Sequence, residues 1–169
     1  MKQKIEITLN DDHQLYDILN KTYLMGRSRE GLEGYSPELI SAIKASEDDE
    51  DLNQIKRSCT DAVSTLKSYL SEYIKDGTRE SDNVLSFGEV KLTLYMPSNY
   101  NTAATDSIAA LCHKFVTAKA CCDWFLLTNP KEAETYKATS IEAYNELRQT
   151  ISKRKRPVPP QGHTDYPTA

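Results

Sequence analysis

The sequence predicts a mainly α-helical bundle with a long C-terminal helical hairpin and a small β element. Three observations lead there. Apolar residues recur at steps of three and four through most of the chain, the period of a helix with one buried face. Two short stretches, near 4–9 and 84–96, alternate instead, the period of a half-buried strand. The tripeptide "TNP" at 128–130 splits one helical pattern into two arms, because proline disfavours helical torsions before it and starts helices well. With 169 residues the chain is long enough for one cored domain, expected over 1–156, followed by an extended proline-rich arm at 157–169.

The elements follow in order. "KIEITL" places Ile5, Ile7 and Leu9 on one side and Lys4, Glu6 and Thr8 on the other. "DDHQLYDILNKTYL" carries Leu15, Ile18, Leu19 and Tyr23 at helical spacing, with Asp11 or Asp12 expected as the N-cap. "GRSREGLEG" reads as a loop. Ser36 caps the next helix, Pro37 opens it, and Leu39, Ile40 and Ile43 form its stripe. The strongest signal runs from Leu52 through Ile55, Cys59, Ala62, Val63, Leu66, Leu70 and Tyr73 to Ile74, with Gly77 expected past its end. The acids Glu47 to Asp51 precede it, where the helix dipole is positive. "NVLSFGEVKLTLYMP" reads as a strand with a turn or bulge at Gly88, ended by Pro97. Thr105 is expected to cap the first arm of the hairpin, which turns Ile108, Leu111, Cys112, Phe115, Val116, Cys122, Phe125 and Leu126 inward. The second arm buries Ala133, Tyr136, Ala143, Tyr144, Leu147 and Ile151, and Pro157 ends it.

Composition narrows the function. The net charge of -4 hides a gradient. Residues 1–50 carry 6 cations against 11 acids, 51–101 carry 6 against 7, and 102–169 carry 9 against 7. A general DNA binder needs a broad positive face instead. A chain acidic at one end and basic at the other suits copies meeting head to tail, or two partners at two ends. No apolar run approaches the roughly 20 residues of a membrane helix, and the N-terminus lacks a signal-peptide pattern, so the chain is expected to stay where it is made. Four cysteines, Cys59, Cys112, Cys121 and Cys122, suit a reducing compartment.

Chemistry-bearing patterns are scarce. There is no phosphate-binding glycine loop, metalloprotease helix or nucleophile elbow. Cys112, His113, Cys121 and Cys122 fall on one predicted helix, where neighbours diverge by about 100°, so they do not converge on an ion. These thiols read as small buried hydrophobes, with neither metal nor cofactor expected. His13, His113 and His163 stand in separate contexts, without an orienting group for a Cys–His nucleophile. The "EDDED" run lacks the glycine turn and ligand alternation of a calcium loop and reads as a solvated helix start. Trp124 and Phe125, with Tyr95 and Met96, are candidate subunit-interface residues. No enzyme activity is expected.

The basic cluster Lys153, Arg154, Lys155 and Arg156 admits three readings: a nuclear signal, a phosphate contact, or a complement to the helix dipole. Behind it Pro157, Val158, Pro159, Pro160 and Tyr166 belong to a segment too poor in apolar groups to fold alone. Together these residues form a candidate partner-docking arm, ordered when it lies along another surface.

The order of elements, with the phrases "LYMPSNYN", "DWFLLTNP" and "AETYKATSIEAYNELRQTISKRKRP", resembles small structural proteins of tailed phages and prophages of Bacteroides-type bacteria. In outline it is similar to the head–tail connector (adaptor) family, over roughly residues 47–160; residues 1–35 have no clear counterpart there. The resemblance implies a non-enzymatic virion protein of the neck, assembled in the bacterial host cytoplasm. It implies a homo-oligomeric ring, commonly of twelve copies, whose partners are portal and tail proteins and which lies near DNA without reading it. The alternative is a DNA-associated or regulatory accessory protein that uses the "KRKR" segment on phosphate.

Overall fold

The computed structural model describes residues 2–74 and 88–157. Strand β1 (Gln3–Leu9) is followed by helices α1 (Asp11–Ser28), α2 (Pro37–Ile43) and α3 (Asp49–Tyr69). Strand β2 (Val90–Met96), a 3-10 turn (Thr102–Ala104) and the long helices α4 (Thr105–Thr128) and α5 (Pro130–Ile151) complete it. The predicted class, a helical bundle with a two-stranded antiparallel sheet and a C-terminal hairpin, is the observed one.

Both strands alternate as the sequence requires. Ile5, Ile7 and Leu9 of β1 and Leu92, Leu94 and Met96 of β2 are buried. Ile5 pairs with Leu94 and Ile7 with Leu92, so the apolar residues lie opposite one another. The second strand begins at Val90; residues 84–87 of the expected strand, like Gly77, lie outside the described residues.

The helix starts follow local hydrogen bonding. Asn10, rather than Asp11 or Asp12, caps α1: its side-chain oxygen accepts from the His13 N–H at 3.0 Å, and the two acids occupy the first turn. The buried face of α1 is Gln14, Ile18, Thr22 and Gly26, one step round from the expected stripe, and Tyr23 is largely exposed. The helix runs one turn into the expected glycine loop. Gly26 stays helical because the methylenes of Lys44 lie across it, and tertiary packing outweighs the ~1 kcal/mol propensity penalty of glycine. Ser36 caps α2 as expected, accepting from the Leu39 N–H at 3.2 Å. Thr105 is not a cap. The 3-10 turn leads directly into α4, and Asn101 caps that turn through the Ala103 N–H.

Helix α3 is shorter than its periodicity. It ends at Tyr69, and Ile74 bridges to Leu94 while the Tyr95 N–H donates to the Tyr73 carbonyl at 2.7 Å. The competing demand is the edge of β2 that β1 leaves open. Its backbone groups need partners, and residues 73–74 supply them.

The core surrounds α4. Ile108, Cys112, Phe115, Val116, Ala118, Ala120, Cys121 and Phe125 are buried on several sides of it. It packs along α5 and against α1, α2, α3 and β1. Ile18, Ile55, Leu66, Leu94, Ile108 and Leu147 are among the largest wholly buried side chains of one continuous cluster. Each such side chain contributes about 1.5–3 kcal/mol by leaving water. Phe125 and Met96, expected at an interface, are both 0% exposed and belong to this cluster. Phe125 stacks on Tyr136 with ring centres 5.4 Å apart. Leu126, expected inward, is largely exposed.

Candidate functional site

The basic segment is anchored at its start. Helix α5 stops at Ile151, before the four cations. The Lys155 N–H donates to the Asn99 carbonyl at 2.8 Å, and the Asn101 N–H donates to the Lys153 carbonyl at 3.3 Å. These bonds lay Lys153–Lys155 antiparallel against the turn after β2, with Tyr100 opposite Arg154. Arg154 turns back and donates to the Ile151 carbonyl at 2.9 Å, satisfying one of the free carbonyls at the end of α5. Lys153, Lys155 and Arg156 are exposed. Of the other arm candidates, Pro157 is exposed, while Val158, Pro159, Pro160 and Tyr166 lie outside the described residues, as does His163.

The far end of the hairpin carries the opposite sign. A cleft of about 540 Å³ opens between α2, the start of α3 and the end of α4. Glu38, Asp51 and Asp123 supply its acids, and Ala42, Trp124 and Leu127 its apolar wall. Trp124 is half-buried and held by its indole N–H, which donates to the Ile43 carbonyl at 3.0 Å. Leu127 is 90% exposed. Burial raises the Asp123 carboxyl above its ordinary range; Asp61 pushes the same way and Lys119 opposes. Such a carboxylate gains from an incoming cation. Lys44, which also lines the cleft, is already paired with Glu30. Asp51 also anchors the chain before its helix: the Ser46 N–H and hydroxyl both donate to it, at 2.8 and 2.7 Å.

A second groove, of about 780 Å³, lies where α3 ends beside α5. Tyr69 and Tyr144 meet there with ring centres 4.2 Å apart, Tyr69 touches Phe115 edge-on, and Arg148 lies 5.9 Å from the Tyr144 ring. Tyr95, another interface candidate, is half-buried on β2.

The thiols do not assemble into a reactive site. Burial pushes Cys59, Cys112 and Cys121 up to about 12, so they stay protonated, and Cys122 moves in the same direction. Among the described residues, no three His, Cys, Asp or Glu side chains come together as metal ligands. His113 does have a partner that the sequence did not signal: its Nε2 lies 2.8 Å from Asp17 on α1, across 96 residues of chain. That pair joins α1 to α4 at a half-exposed position.

The sequence singled out the cations and Trp124 but missed Asn99 and Asn101, whose backbones hold the basic segment. It also missed Glu38, Asp51 and Asp123 as one group, because three helices bring them together. No helix among the described residues is long and apolar enough to cross a membrane. Comparison of the chain with protein-family models, with curated proteins and with solved structures finds no match.

Proposed function

We propose that the chain is a non-enzymatic structural subunit of a virion, a head–tail connector that forms a neck ring between portal and tail. The observation that carries this reading is the polarity of the α4–α5 hairpin. Exposed cations stand at one end and an acid-lined apolar cleft at the other. Two unlike, complementary ends favour a heterologous contact, and a heterologous contact whose rotation closes makes a ring. The arm beyond Arg156 docks on a neighbouring subunit, the portal or a tail protein. Assembly takes place in the host cytoplasm and the product resides in the virion.

The test is the mass of the purified full chain by light scattering, with particles viewed by electron microscopy, alone and with portal and tail proteins of the same phage or prophage. The reading expects closed rings, of twelve copies if the count follows the resemblance. It also expects loss of assembly when residues 157–169 are removed. A chain that stays monomeric with every such partner overturns it.

A second reading is favoured by the exposure of Lys153, Lys155 and Arg156: an accessory protein that holds nucleic-acid phosphate. It expects duplex binding that falls steeply between about 50 and about 200 mM salt and is lost when the four cations are neutralised.

A further inference from the structure

We infer that the cleft between α2, α3 and the end of α4 receives the basic segment Lys153–Arg156 of a second copy of this chain, together with the proline run behind it. The inference rests on the reading that the arm docks on a neighbouring subunit, and it names the surface and the copy.

Charge comes first. Glu38, Asp51 and Asp123 face one cleft, and the stretch 38–54, which supplies its lining from α2 and α3, holds six acids against one cation. That cation, Lys44, is already paired with Glu30. The cluster at the other end holds four cations in a row. Apolar chemistry agrees. Trp124 offers a half-buried ring and Leu127 an exposed aliphatic group in the cleft, and a proline run with Val158 brings pyrrolidine rings and a small aliphatic group with little conformational entropy to lose.

Reach then decides which copy supplies the segment. Helix α5 has 22 residues and runs back from the cleft end, so its two ends lie about 33 Å apart. Lys153 and Lys155 are fixed beside Asn101 and Asn99 at the far end, so a chain cannot bring these cations to its own cleft. The partner is therefore another molecule, set end to end.

Trp124 is the chain's one tryptophan and lines the cleft, so its emission reports what enters. Full-length protein is titrated with a synthetic peptide of residues 152–169, and with one in which the four cations are glutamates. The inference expects a saturable change in Trp124 emission with the native peptide only. Affinity should fall between about 50 and about 200 mM salt. Leu127→Lys should weaken binding roughly tenfold, as should Glu38→Lys. Leu127 is so exposed that its substitution leaves the fold intact, which a thermal melt verifies. In the full chain, Glu38→Lys combined with Arg156→Glu should recover self-association that each change alone reduces. Suppose instead that the peptide leaves the emission unchanged and Leu127→Lys assembles normally, while removal of residues 157–169 still abolishes assembly. The arm then docks elsewhere, and this inference fails without the proposed function. If removing the arm changes no assembly, the docking reading fails, and the cleft's role with it.

Discussion

At the residue scale, burial decides which side chains can act. Cys59, Cys112 and Cys121 lie in the core and Cys122 is half out. A thiol reagent at pH 8 should modify Cys122 first and reach the other three only in denaturant, read as absorbance against time. The pH dependence follows from the same burial. The three core thiols move from 9.0 to about 12 on folding, so the folded chain keeps protons that the unfolded chain releases. Stability is therefore full below the unfolded value and falls as pH rises from 9.0 toward about 12, measurable as a declining denaturant midpoint. Trp124 makes a different point. Trp124→Phe keeps much of the ring but leaves the Ile43 carbonyl without its indole donor, for an expected loss of about 1 kcal/mol by chemical denaturation. The burial of Cys59 and Cys112 was legible from their helical phase, but that phase turned Cys122 inward, whereas Cys121 is the buried one and Cys122 is half out. The partnership of Trp124 with Ile43 was not legible, because 81 residues separate them.

At the element scale, local chemistry set most boundaries, and tertiary demand moved the rest. Ser36 and Pro37 mark the start of α2 in sequence and in structure. Ser36→Ala should cost about 1 kcal/mol, visible as a lowered melting temperature, because the Leu39 N–H loses its acceptor. The end of α3 was not legible. Leu70, Tyr73 and Ile74 keep the helical phase, yet residues 73–74 serve the open edge of β2, and such a claim leaves no trace in periodicity. The stop of α5 before Lys153 is similar: four good helix formers leave the helix because Asn99 and Asn101 offer backbone partners. Lys155→Pro removes the donor to Asn99. Hydrogen exchange at the Asn101 amide should then accelerate while the amides within α4 stay protected.

At the scale of the whole molecule, the core among the described residues runs from Ile5 to Ile151. Removing residues 158–169 should leave the melting temperature within about 1–2 °C of the full chain, since that segment is rich in proline and poor in apolar side chains. The charge gradient was legible, and so was the hairpin that sends its two signs to opposite ends. The cleft was not, because it draws on α2, α3 and α4 at once. The pairing of β1 with β2 bears on how the molecule is made. Gln3 meets Met96, so β1 leaves the ribosome well before the strand it pairs with. A nascent chain arrested before residue 90 would carry a bare apolar ribbon, and would depend on a chaperone or on pausing to keep from clumping.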